Sequence, residues 1–102
     1  MKTLAQIRRQ LAAGQFDFSR HAFIRAVERN ISEKEIRAAG AQARIIEVYP
    51  MDKYSPSVLM LGLTSAGRPL HIQVSLAYSE MTRIITLYEP DPGEWVDYQT
   101  RR

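Results

Sequence analysis

The chain has 102 residues, 45% hydrophobic and 25% charged, which suits one globular domain with one modest core and is too apolar for disorder. The absence of cysteine excludes disulfides, thiolate catalysis and cysteine-ligated metals, and lends no support to secretion. A net charge of +3 permits an anionic partner such as RNA or an acidic protein without demanding one. The opening M-K-T-L-A-Q-I-R-R-Q lacks the continuous apolar core of a signal peptide, and no run approaches membrane-spanning length, so a cytoplasmic location away from membranes is expected.

Leu4, Ile7 and Leu11 recur at helical spacing, with Thr3 as a cap and Gly14 as a stop. Gln15 to Phe18 reads as a short link. A second helix follows over Ser19–Asn30, with Ser19 as N-cap and Phe18 and Phe23 as a hydrophobic staple. Its apolar stripe is Phe23, Ile24, Val27 and Ile31. His21, Arg25, Glu28 and Arg29 line the opposite side. Ser32 and Glu35 form a capping box for a third helix, which should run to about Ala39 and stop at Gly40.

After Gly40 the pattern becomes that of strands: Arg44–Tyr49, Val58–Thr64, Leu70–Leu76 and Thr82–Tyr88. In the third of these, Leu70, Ile72, Val74 and Leu76 alternate with His71, Gln73 and Ser75. In the fourth, Ile84, Thr86 and Tyr88 should share one face, and Arg83, Ile85 and Leu87 the other. Trp95 and Tyr98 suggest that the turn-rich tail folds back onto the domain. The expected fold is α+β: three N-terminal helices followed by a four-stranded antiparallel β-meander, with helices packed on one face. It forms a single domain over 1–102, with its informative motifs in 18–95.

Two polar sets could carry chemistry. On the second helix, His21 lies in the first turn, where the helix dipole and Arg25 both disfavour the imidazolium and favour a proton acceptor. On the strands, His71, Gln73 and Ser75 should lie on the open face, with Thr86 and Tyr88 beside them and Arg68 and Arg83 at the rim. Cations for phosphate oxygens, imidazole or phenol for proton transfer, and a ring for stacking would suit a phosphodiester. Both sets also fit an ordinary solvated helix face and the polar side of an antiparallel sheet. Two histidines without a nearby carboxylate make a poor metal site, and no glycine-rich phosphate loop or G-x-S-x-G elbow is present, so no cofactor is expected.

The segments F-S-R-H-A-F-I-R-A-V-E-R-N-I-S, R-I-I-E-V-Y-P, G-R-P-L-H-I-Q-V and R-I-I-T-L-Y-E-P, in that order, resemble the bacterial family of domains of unknown function 4258. The resemblance spans Phe18 to Trp95. At the level of fold it extends to the RelE-like ribonuclease toxins and their BrnT-type relatives. What it implies is metal-independent RNA cleavage, with His21, Arg25, His71 and Tyr88 as catalytic residues and Glu28, Arg29, Arg68 and Thr86 as substrate contacts. It also implies RNA and a cognate antitoxin-like protein as partners. The competing readings are a non-catalytic RNA- or protein-binding module and a structural component of a larger system. The enzyme reading requires the helix set and the strand set to meet in one cleft. A helix polar face normally points away from the sheet it covers, so that meeting requires the helix to lie at a sheet edge.

Overall fold

All three helices begin where their caps place them. Thr3 with Gln6 and Ser32 with Glu35 form complete capping boxes at the starts of α1 (Leu4–Ala12) and α3 (Glu33–Ala41). Ser19 caps α2 (Arg20–Glu28): its Oγ accepts the Ala22 N–H at 3.0 Å and donates to the Ile85 carbonyl at 2.9 Å. The cap thereby ties the start of α2 to the last long strand. The computed structural model describes residues 1–102.

The strands are β1 (Phe16–Phe18), β2 (Arg44–Tyr49), β3 (Ser57–Leu63), β4 (Pro69–Ser75), β5 (Thr82–Tyr88), β6 (Trp95–Val96) and β7 (Thr100–Arg101). The first five form one sheet in the order β1-β5-β4-β3-β2, and β6 and β7 form a separate hairpin. The expected four-stranded antiparallel meander is therefore corrected to a five-stranded mixed sheet with an extra two-stranded one. A strand, β1, interrupts the helices and pairs parallel with β5. Its three residues are too few to show an alternation, and its partner lies at Thr82–Ile84, far along the chain. The hairpin escaped the sequence reading because its strands are two residues long between Pro, Gly and Asp.

The helices cover one face of the large sheet. Ile7 and Leu11 of α1, Ala22 and Ala26 of α2 and Ile36 and Ala39 of α3 pack on Val58, Met60, Leu70, Ile72, Val74, Ile84 and Leu87. The stripe expected on α2 is not the buried one. Ala22 and Ala26 face the sheet, while Phe23, Ile24 and Val27 are 58%, 45% and 66% exposed; of that stripe only Ile31 is buried. The Ser19 cap bonded to β5 fixes which side of α2 faces the sheet, and that side carries Ala22 and Ala26. A bulge at Ile85 corrects the faces of β5: Val74 pairs with Ile84 but Gln73 with Thr86, so Ile84 and Leu87 both point into the core.

Glycine sets the spacing of α3. A Cβ on Gly62 of β3 would overlap the Ala39 carbonyl oxygen, and one on Gly40 would sit 2.5 Å from Leu11 Cβ of α1. Gly40 is thus not a stop, since the helix continues through it to Ala41. Gly62→Ala should lower stability by about 3 kcal/mol or more, because backbone must move to admit the methyl group. Ser32→Ala should cost about 1 kcal/mol through loss of the cap. Urea denaturation of each variant against wild type measures both; a Gly62→Ala curve superimposed on wild type would show that α3 can lift without cost.

Candidate functional site

On α2 the polar residues form a short chain of contacts. Arg25 Nη1 pairs with Glu28 Oε2 at 3.1 Å, and Arg25 Nε donates to His21 Nε2 at 3.5 Å. Arg25 is therefore partly neutralised and set against the histidine ring. Arg29, beyond the end of the helix, donates to the Leu87 carbonyl at 2.8 Å and lies 5.8 Å from the centre of the Tyr88 ring.

Arg68 is a structural tie. Its Nε donates to Glu89 at 2.7 Å, its Nη1 to Glu35 at 3.1 Å and to the Asn30 carbonyl at 3.1 Å, and its Nη2 to the Arg29 carbonyl at 3.1 Å. The backbone N–H of Ser32, with Arg68 assisting, holds the Glu35 carboxyl below its ordinary range although burial opposes it. Arg29, Arg68 and Tyr88 do converge on one cavity of about 540 Å³, together with Glu89, Asp91 and Glu94. Three carboxylates outnumber two guanidiniums already bonded to protein, so this cavity is unsuited to phosphate.

His71 faces away from the helices, as its alternation predicts, but it is fully buried. The β6–β7 hairpin covers it. The Trp95 ring stands edge-on at 4.5 Å between ring centres, Nε2 lies 2.6 Å from the Tyr98 carbonyl, and Nδ1 lies 3.2 Å from the Tyr88 hydroxyl. The hairpin turn holds Asp97 and Tyr98 at φ of 51° and 62°, the left-handed geometry a tight two-residue turn requires. Arg101 locks the hairpin to β2 by pairing with Glu47 at 2.9 Å and lies 4.6 Å from the Trp95 ring centre. Burial pushes the His71 pKa below its ordinary value and the Tyr88 pKa above its own. His71 does not meet solvent as a catalyst must, whereas Tyr88 is half-buried and borders the cavity of Arg29 and Arg68. Thr86 sits next to Gln73 on the same face.

The helix and strand sets thus do not form one cleft. His21 instead lines a different cavity, of about 480 Å³, where the start of α2 meets the uncovered end of the sheet. Ser19 and His21 come from α2, Asp52, Tyr54 and Ser55 from the β2–β3 loop, Ser75 from β4, and Arg83 and Ile85 from β5. Ser55 and Ser75 share a hydrogen bond at 2.8 Å, and Asp52 accepts from Ser57 Oγ at 2.6 Å and from Gln73 at 3.3 Å. Arg83 approaches Asp17 at 2.8 Å, but Asp17 Oδ1 has no hydrogen-bond partner. The pair is an ion contact through Nε, and the two terminal amino groups of Arg83 make no hydrogen bond to protein. Tyr54 is exposed at the rim.

A family model described as "Domain of unknown function (DUF4258)" matches residues 18–89. The chain belongs to this family. No curated protein and no solved structure matches it, so the likeness to RelE-like and BrnT-type toxins has no structural neighbour behind it. The DUF4258 match contains every residue of the His21 cavity and excludes Trp95 and Tyr98, which seal His71. The cavity therefore belongs to the DUF4258 segment, and the seal over His71 lies outside it.

Asp52, Tyr54 and Ser55 are candidate-site residues that sequence reasoning misses. The M-D-K-Y-S-P composition is chemically rich, but where the loop lands depends on the β2–β3 pairing. The structure gives His71 a different test. Its folded-state pKa lies below the unfolded one near 6.5, so the unfolded chain binds the proton more readily. The stability it contributes is present above the unfolded pKa and is lost as pH falls through the folded one. Denaturation midpoints measured from about pH 7.5 down to 5.5 should fall more steeply for wild type than for His71→Gln. Parallel profiles would mean that the tail does not seal the imidazole.

Proposed function

We propose that the domain binds single-stranded RNA at the His21 cavity and slowly cleaves it without a metal ion. The observation that carries this reading is the placement of His21 and Arg83, whose terminal amino groups make no hydrogen bond to protein, on one cavity with the Tyr54 ring at its rim. A guanidinium suits phosphate oxygens, and an exposed ring offers a stacking surface for a base. The chemistry is transesterification. The 2′-hydroxyl oxygen bonds to phosphorus as its proton passes to His21. The bond from phosphorus to the 5′ oxygen breaks, and that oxygen takes a proton from water. The products are a 2′,3′-cyclic phosphate and a free 5′-hydroxyl, and Arg83 stabilises the charge on the pentacoordinate phosphorus.

Arg25, expected as a catalytic residue, takes a positioning role here because its Nε and Nη1 already donate to His21 and Glu28. Arg68 and His71 have no part, since one ties the fold together and the other is sealed.

The assay is purified protein with a labelled RNA in EDTA at several salt concentrations. His21→Ala should lower cleavage about 100-fold with little change in binding. Arg83→Ala should weaken binding and flatten its salt dependence. Salt-dependent binding without cleavage would reduce the domain to an RNA-binding module. Neither binding nor cleavage by folded protein would remove RNA altogether.

A further inference from the structure

The α2 helix has three faces. Ala22 and Ala26 meet the sheet, His21, Arg25 and Glu28 lie on one flank, and Phe23, Ile24 and Val27 stand uncovered on the other. The uncovered side chains continue into a groove of about 350 Å³ that Phe18 and Ile31 also line, and the Phe18 and Phe23 rings are 6.1 Å apart. Neighbouring exposed apolar side chains of this kind mark an interaction surface.

The charges at its ends indicate what covers it. Arg20 lies one turn before Ile24 and has no ion-pair partner. Glu28 lies one turn after Ile24 and is held only by Arg25, in a pair that is itself exposed. Two such helices packed antiparallel about a two-fold axis at Ile24 place each Arg20 opposite the Glu28 of the other copy. The same patch in parallel would set Arg20 against Arg20. The surface is thus self-complementary in one arrangement, which is the requirement for an isologous dimer.

We propose that α2 is the interface of a homodimer of this chain, with Phe23, Ile24 and Val27 at its centre and two Arg20–Glu28 pairs between the copies. This stands independently of the RNA reading. A nine-residue helix is about 14 Å long, so the interface is small and the expected dissociation constant is on the order of 10 µM.

The test is sedimentation velocity over about 1 to 500 µM protein, with circular dichroism to verify that each variant is folded. All substituted residues are exposed, so the fold should survive. Wild type should pass from monomer to dimer across this range. Val27→Glu should weaken the dimer by more than about tenfold, and Arg20→Glu and Glu28→Arg should each weaken it about tenfold. Arg20→Glu combined with Glu28→Arg should restore it to near wild type. A wild type that stays monomeric throughout overturns the proposal. So does a dimer indifferent to Val27→Glu, or a double variant as weak as the single ones.

Discussion

The contact between the backbone of Gly62 and the carbonyl of Ala39 determines how thin this domain is. With no side chain at Gly62, the end of α3 meets β3 directly at this point. Leu11 occupies the space beside Gly40, so α1 is drawn equally close to α3. The helical side of the core combines Ile7, Leu11 and Ile36 with Ala22, Ala26 and Ala39, and under α2 it is alanine alone. The sheet supplies most of the bulk, from Val58, Met60, Leu70, Ile72, Val74, Ile84 and Leu87. The large apolar residues of α2, Phe23, Ile24 and Val27, stand on its flank.

The opposite face of the sheet is divided between two environments. At one end the tail hairpin excludes water with Trp95, and the polar groups beneath it are bonded to one another. At the other end the β2–β3 loop and the start of α2 leave an opening lined by a histidine, an arginine and several hydroxyls. The carboxylates follow the same division of labour. Glu35 and Glu47 are committed to guanidiniums that fasten one element to another. For Glu47, burial alone would raise its pKa, but hydrogen bonds from Arg101 and Tyr49 outweigh it and hold the group low.

Features set by neighbours in sequence were legible. The caps at Thr3, Ser19 and Ser32 are local hydrogen bonds, and the alternation in β4 assigned Val74 and His71 to opposite faces. Features set by distant partners were not. Periodicity alone puts Phe23, Ile24 and Val27 inward; the Ser19 bond to β5, a distant partner, turns the alanines inward instead. A regular strand would carry Leu87 away from Ile84, and the bulge at Ile85 brings them together. Of the residues with expected chemical roles, His21 meets a cavity, while Arg68 and His71 are absorbed by the architecture. Their residue types suited catalysis, but burial and bonding partners decided otherwise.

The parallel strand also bears on how the chain assembles. The β2–β3, β3–β4 and β4–β5 pairings join strands that follow one another in sequence, with short connections. Pairing of Phe16 with Thr82 instead closes nearly two-thirds of the chain into one loop. Loop closure of that length costs entropy that only a formed partner strand can repay, so a template must exist before β1 can dock. The meander is that template. Topology therefore separates the order of the strands in sequence from the order in which their pairings can close.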